Sequence, residues 1–534
     1  MVSFINNKLS FQSFKKLVKT NLTVPRQEIG MTEDDVVDIN TGMNLKPFFL
    51  VLVAAILGTV FYVRPVFQRF VYRITFASPL TVLFFIPAIA LFLLGRSKEI
   101  GWMKPLALTV FIIGTVFSMV AYFPTQFALL ETVQAGNLTD LPETGNSRIV
   151  PREVAYQYAY NTLQEPRYTL SDIDDITVLN GSAYWSFGLV PDTFIERYFG
   201  NQKGAVYFDM SNTSTTPIRT DGEMRYGMGM QIRDNVFWKV AKKKFFAGYQ
   251  DPFMVYHEGE NYIAYPYVRH RWSFKYVVPV AVPEFRGVVL VDEEGNMEDL
   301  PKSEALENEV LKDQNFYPYD LARRRVDSIN MENGVFNYLF RKKEVFEIDS
   351  PGGYNRQPYS VLTEEGMKYF VTVEPYGNAG GVYRIFVIDG RTGNISQYRT
   401  EKTLYGAERA RDLVKSHNEL SRISWNSFKT SEPIPVVKDG DLYWQIKIIA
   451  RDNSDVSRVV YVNSKTKNVA PFNAKKSEKF FEIDSVENVS MGTVPGKDLN
   501  STQDNSGPGK RIIVMNEGRI VANYSLENHD VEIR

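Results

Sequence analysis

Three apolar runs without charged side chains follow one another early in the chain: Pro47–Val63, Ile74–Gly95 and Pro105–Leu130. A bilayer core of about 30 Å takes roughly 20 apolar residues in a helix. The second and third runs meet that length, and the first reaches it if Arg64 snorkels to the interface. The pattern therefore predicts three transmembrane helices over 47–130 rather than buried core helices. It does not fit a cleaved signal peptide, because the first run starts late and has no A-x-A site. Beyond Leu130 the period changes. Short β-forming runs dominate, with alternation such as Tyr369, Val371 and Val373, which suits half-buried antiparallel strands.

Basic residues near the helix ends set the expected orientation. With the N-terminus inside, Arg26, Lys46, Arg96, Lys98 and Lys104 are cytoplasmic, and no basic residue follows the third run until Arg148. Arg64, Arg69 and Arg73 oppose this assignment. The reading is a multi-pass cell-membrane protein with a cytoplasmic N-terminus and everything after residue 130 extracytoplasmic. Seven Asn-x-Ser/Thr sequons after the third run (Asn137, Asn180, Asn212, Asn394, Asn488, Asn500, Asn523) agree weakly with that placement. Within the N-terminal segment 1–46, residues up to Lys19 interleave Phe4, Ile5, Leu9, Phe11 and Phe14 with lysines, with no acidic residue before Glu28, the pattern of a helix lying on an anionic leaflet or of a basic tail.

The exterior part repeats itself. Runs of β-formers ending in Asx begin at Gly204, Gly287, Arg384 and Arg458, with Asp209, Asp292, Asp389 and Asn463 at the turn, and a shorter version ends at Asn516. An aromatic-led strand precedes each of the four, for example "MKYFVTVEPYG" before Asp389 and "DLYWQIKIIA" before Asn463. Helical patterns stand upstream at 151–163, 303–329 and 405–417. The expected fold class is α+β: three N-terminal transmembrane helices, then a large ectodomain of repeated helix-plus-antiparallel-hairpin modules. The boundaries are a linker at 131–150, modules at 151–220, 221–302, 303–400 and 401–475, and C-terminal strands over 476–534 around a Gly/Ser/Asn-rich loop at 491–510.

The stretch Ile385–Ile395, with Asp389, Thr392 and Gly393, resembles the PepSY-type module of metallopeptidase propeptides and bacterial envelope proteins. The resemblance implies a binding or inhibitory role near peptidases or the cell wall and brings no catalytic residue with it. In "RIFVIDGRTGNIS" itself the Asp and the glycines suggest a ligand loop. The siblings replace Asp389 by Asn463 and Gly393 by Lys467, which a strand-ending Asx turn tolerates and a ligand site does not.

Composition narrows the chemistry. The net charge of −1 offers no attraction to nucleic acid, and the absence of cysteine excludes disulfides, thiolate metal sites and a Cys nucleophile. Four scattered histidines show no ligand spacing, so neither metal nor cofactor is expected. No G-x-S-x-G, H-E-x-x-H, Walker or dinucleotide motif occurs. "SDIDDI" at 171–176 lacks a calcium-loop pattern and reads as a solvated turn. Two segments remain as candidate surfaces. Lys239, Lys242, Lys243 and Lys244, mixed with Phe237, Trp238, Phe245 and Phe246, suit phosphate headgroups or form the solvated face of a helix. Tyr267, Arg269, Arg271 and Trp272 lie in the most aromatic run and suit sugars or peptides, or simply a packed strand. The expected partners are the lipid bilayer, protein partners in an envelope complex, and other copies of the chain. The function so implied is binding and scaffolding in a prokaryotic or viral envelope. The alternatives are a carboxylate-dependent hydrolase of wall glycan or peptide, which needs two carboxylates converging in a cleft, and an accessory channel subunit.

Overall fold

The computed structural model describes residues 45–77, 79–144, 148–163, 165–213, 215–275, 279–348, 357–377, 380–483, 511–516 and 519–525. The expected amphipathic N-terminal segment and the loop at 491–510 lie outside these residues, as do Asn488 and Asn500. The chain divides into two compact units, Met1–Val63 and Arg64–Arg534. In the first, the described residues are helical, and Leu50, Val51, Leu57 and Phe61 are exposed.

The expectation of three spans is corrected. Two helices are long and apolar enough to cross a membrane, Leu50–Phe76 and Met103–Leu130, whereas Leu83–Ser97 is apolar but shorter. The reason lies in where the first helix stops. It runs without interruption from Leu45 to Ala77, through Pro65, and absorbs Arg64, Arg69, Arg73 and Ile74. Ile74, expected in the second run, thus belongs to the first helix, and Arg64, Arg69 and Arg73 lie on it too. The Leu83–Ser97 helix packs antiparallel on the next helix through Phe84 on Phe117, 5.7 Å between centroids, and Phe85 on Phe111, 4.6 Å. Gly114 permits this approach, since a Cβ there would collide with Phe84.

The region after Leu130, expected to be the ectodomain and so named, is mostly β-sheet, which corrects the expected helix-plus-hairpin modules. Tyr168–Leu179, Ser182–Pro191, Ala205–Asp209 and Ile218–Arg219 form one four-stranded antiparallel sheet. Glu260–Ser273 is the centre of a five-stranded sheet with Phe253–His257, Gly248–Tyr249, Val280–Val291 and Met297–Pro301. A six-stranded sheet joins Phe346–Ile348, Tyr359–Thr363, Gly366–Pro375, Gly381–Asp389 and Ile395–Tyr405, and Ala135–Asn137 adds to it in parallel. Phe428–Lys438, Asp441–Ala450, Val456–Asn463 and Val469–Asn473 form a second four-stranded sheet. The strands that carry the turns at Asp209, Asp292, Asp389 and Asn463 thus belong to four sheets, of four, five, six and four strands.

The physical reason is burial on both strand faces. Tyr369, Phe370, Val371, Thr372 and Val373 are all buried, and so is every residue from Leu442 to Ile449. Strands covered on both faces read as continuous apolar runs: Ala407, Ala410 and Val414 of a helix pack with Trp444 and Val460, while Tyr443 and Tyr461 join the core of the first four-stranded sheet with Phe187 and Phe208. One core accordingly crosses the boundary between the five- and six-stranded sheets, where Val282, Phe285 and Leu300 meet Phe346, Val371 and Phe386 around Phe316, Leu321 and Val326.

Candidate anion-binding cleft at the anchor joint

Between Arg64 and Phe76 the first helix is amphipathic in an inverted sense. Arg64, Pro65, Gln68, Tyr72 and Phe76 follow helical spacing on one face and meet the ectodomain, while Val66, Phe67, Phe70 and Ile74 are exposed on the other. The protein-facing side is held by polar bonds. Arg64 Nη2 donates to the Lys242 carbonyl at 3.0 Å, and Gln68 Nε2 donates to the carbonyls of Phe245, at 3.0 Å, and Ala247. The Tyr72 hydroxyl lies 3.1 Å from the Val268 carbonyl and 2.7 Å from His270 Nδ1. Phe76 stacks on His270, with centroids 5.1 Å apart. Arg69 and Arg73 are exposed beside these apolar residues, so the outward face mixes apolar surface with charge, as suits the membrane–water boundary.

The C-terminal end of the second long helix enters the ectodomain core, where Leu129 is fully buried. Arg325 secures the exit, donating to the Thr132 and Gly393 carbonyls at 2.6 Å each and to the Tyr317 hydroxyl at 3.0 Å. Phe123 meets Tyr338 edge-on at 6.5 Å.

A cleft of about 660 Å³ opens beside this joint. Gln68, Arg69, Tyr72 and Arg73 form one wall, Tyr249 to Asp251 and His270 another, and Asp320, Arg323 and Arg324 from the helix Tyr319–Ser328 the third. Arg323 and Arg324 also line a neighbouring cleft of about 310 Å³, bounded by Asp327, Tyr338 and Tyr376. Arg69 stacks over Phe237 at 4.7 Å, and Arg323 donates to the Gln357 carbonyl at 2.6 Å. Arg73 and Arg324 make no hydrogen bond or ion pair with any described residue. Burial, and secondarily the charge of Arg324, pull the His270 imidazole down to about 3, so it is neutral at physiological pH. Burial pushes Asp327 up, against the attraction of Arg323. Arginines outnumber the carboxylates Asp251 and Asp320 in the larger cleft, so it favours an anion over the paired-acid chemistry of a hydrolase.

The residues singled out from sequence lie around this cleft without converging in it. Alternation along Glu260–Ser273 puts Tyr267, Arg269 and Arg271 on one face and Val268, His270 and Trp272 on the other. Tyr267 is buried and receives a hydrogen bond from Lys244 at 2.6 Å. Arg269 is exposed, Arg271 pairs with Glu284 at 2.6 Å, and Trp272 leans on Phe76. Among the lysines, Lys239 sits over Tyr226 and Lys242 over Trp238, Lys243 donates to the Met297 carbonyl, and Lys244 pairs with Asp299. Burial pulls Lys244 down while Asp299 opposes it. The cleft arginines were missed, although Arg64–Arg69–Arg73 and the run Arg323–Arg325 were visible as charge where apolar or mixed sequence surrounds them.

The recurring turns are Asx turns. Asp389 Oδ1 accepts from the backbone of Arg391 and Thr392 at 3.1 and 2.8 Å, and Asn463 Oδ1 accepts from Lys465 and Thr466 at 2.9 and 2.8 Å. Gly393 and Lys467 occupy the same offset, with φ of 75° and 69°. Burial raises Asp389, but Lys368 at 2.8 Å and the Thr392 amide outweigh it and hold the carboxyl below its usual value. Among the described residues no group of three or more His, Asp or Glu is placed to hold a metal ion.

No protein-family model and no curated protein matches the chain. Among solved structures, a GH43_1 enzyme from Xanthomonas citri complexed with xylotriose is aligned over 65% of this chain and 79% of its own at 10% identity, with a TM-score of 0.18. The same enzyme complexed with xylose covers 60% and 80%, again at 10% identity and a TM-score of 0.18. Likeness at that level assigns neither fold nor activity.

Proposed function

We propose that the protein is a membrane-anchored binding protein: a fixed platform that presents a β-rich ectodomain, on the extracytoplasmic side, to a protein partner or to further copies of itself in a cell-envelope or virion assembly. The observation that carries this is the joint. Gln68, Tyr72 and Leu129 are buried in the ectodomain, which is therefore braced against its anchor from Arg64 onward. A structural component transmits position and load through such a brace. The PepSY-type resemblance of Ile385–Ile395 supports binding over catalysis, since that motif brings no catalytic group. Crosslinking in the native membrane, followed by detergent extraction and mass determination, tests the proposal. A stoichiometric partner or a defined homo-oligomer is expected; a monomer that captures nothing contradicts it.

A further inference from the structure

We propose that the cleft beside the first helix is a binding site for the phosphate headgroup of an anionic phospholipid, gripped by Arg73 and Arg324. This rests on the membrane-anchored reading above but not on any protein partner.

Three features converge. The two guanidinium groups line one cavity without a direct ion pair, Asp320 and Asp327 attract Arg324 only in part, and a planar donor fork matches a phosphodiester. Cations so placed next to an apolar span are costly unless an anion or water meets them. Exposed apolar surface flanks the cavity on both sides, where acyl chains would lie. Val66, Phe67 and Phe70 are exposed on the helix that carries Arg69 and Arg73. Across the adjoining cleft, Tyr338 belongs to a short helical stretch that exposes Phe336, Leu339 and Phe340 and continues into Arg341, Lys342 and Lys343. Aromatic and aliphatic groups beside a basic cluster are the arrangement by which proteins seat at an anionic lipid interface. Neutral His270 and the Tyr72 hydroxyl line the cleft without adding charge, so its preference is set by Arg69, Arg73, Arg323 and Arg324 against Asp251 and Asp320.

The test uses the full chain in a neutral detergent, titrated with dioctanoyl phosphatidylglycerol, dioctanoyl phosphatidylcholine and inorganic phosphate. Phosphatidylglycerol should bind about tenfold more tightly than phosphatidylcholine, and the pair Arg73→Gln/Arg324→Gln should lose about tenfold. Arg73→Lys/Arg324→Lys should retain most of the affinity, and Arg399→Gln on the six-stranded sheet should change nothing. Thermal unfolding of each variant separates loss of the site from loss of fold. Should the glutamine pair unfold, the single variants carry the comparison, each weakened about threefold. Equal binding of the two lipids, or unchanged binding in folded glutamine variants, overturns the site. Inorganic phosphate competing as well as the lipid overturns the lipid assignment. None of these outcomes bears on whether a protein partner exists.

Discussion

The Tyr72 hydroxyl stands 2.7 Å from His270 Nδ1, joining the first anchor helix to the central strand of the five-stranded sheet. The same oxygen lies 3.1 Å from the Val268 carbonyl. A phenol has one proton, so it donates to one of these groups, and when Val268 receives it the imidazole N–H donates back to the phenol. Tyr72→Phe removes this polar tie to both groups. It should cost about 1–2 kcal/mol, read as a lower unfolding midpoint in detergent. An unchanged midpoint would mean that the helix is not docked on this strand.

Leu129 tests the other end of the anchor. It is fully buried among residues of both large sheets. Truncation to alanine should cost about 2–5 kcal/mol, as for other core leucines. The equivalent change at exposed Leu108 should leave ectodomain unfolding unaltered. Limited proteolysis of the ectodomain is a convenient second readout.

The Asx turns give a paired prediction. Gly393 has φ of 75°, and a Cβ there would collide with the Tyr317 ring. Gly393→Ala should therefore destabilise by more than about 1 kcal/mol. Lys467 bears the same backbone conformation with a side chain, at φ of 69°. Lys467→Gly relieves that conformation and should be neutral or stabilising by up to about 1 kcal/mol. Opposite signs at matched positions are the expected result, and equilibrium unfolding of the two variants decides it.

A pH dependence follows from Lys447. The side chain is fully buried, with Nζ 3.2 Å from the Glu432 carbonyl and 3.9 Å from its carboxylate. Burial pulls its ammonium down to about 7, against the pull of Glu432. In the unfolded chain lysine titrates near 10.4, so between about pH 7 and pH 10 the unfolded state holds the extra proton and stability rises with pH. Below pH 7 both states are protonated and the cost of the buried charge is present in full. Asp175, pushed up to about 7 by burial, acts in the opposite sense and only below pH 7. The unfolding midpoint should therefore rise from pH 7 to pH 9, and Lys447→Met should flatten that rise. Parallel curves for the two proteins would remove Lys447 from the explanation.

What the sequence made legible follows from local chemistry. Apolar runs, runs of β-formers and the Asx turns at Asp389 and Asn463 depend on neighbours in the chain, and each could be read there, whereas the alternation expected at Tyr369, Val371 and Val373 gave way to burial on both faces. The first helix could not be delimited, because from Arg64 to Phe76 its polar side meets carbonyls of residues 242–268 and its apolar side faces out. Charge that normally ends a span here continues one. The module arrangement was not legible because strands such as Leu442–Ile449 are covered on both faces, and the cores they share with other sheets leave no local signature. The arginine cleft draws on the first helix, the five-stranded sheet and the helix Tyr319–Ser328, so no single stretch reveals it.

The central claim is that the ectodomain is braced on its anchor, and the cysteine-free chain allows that to be measured directly. Spin labels on Phe70→Cys, on the exposed face of the first helix, and on Arg399→Cys, in the six-stranded sheet, report one inter-label distance by pulsed electron resonance in nanodiscs. A single narrow distance distribution is the result this account requires. A broad distribution, as for a domain swinging on a linker, would contradict it.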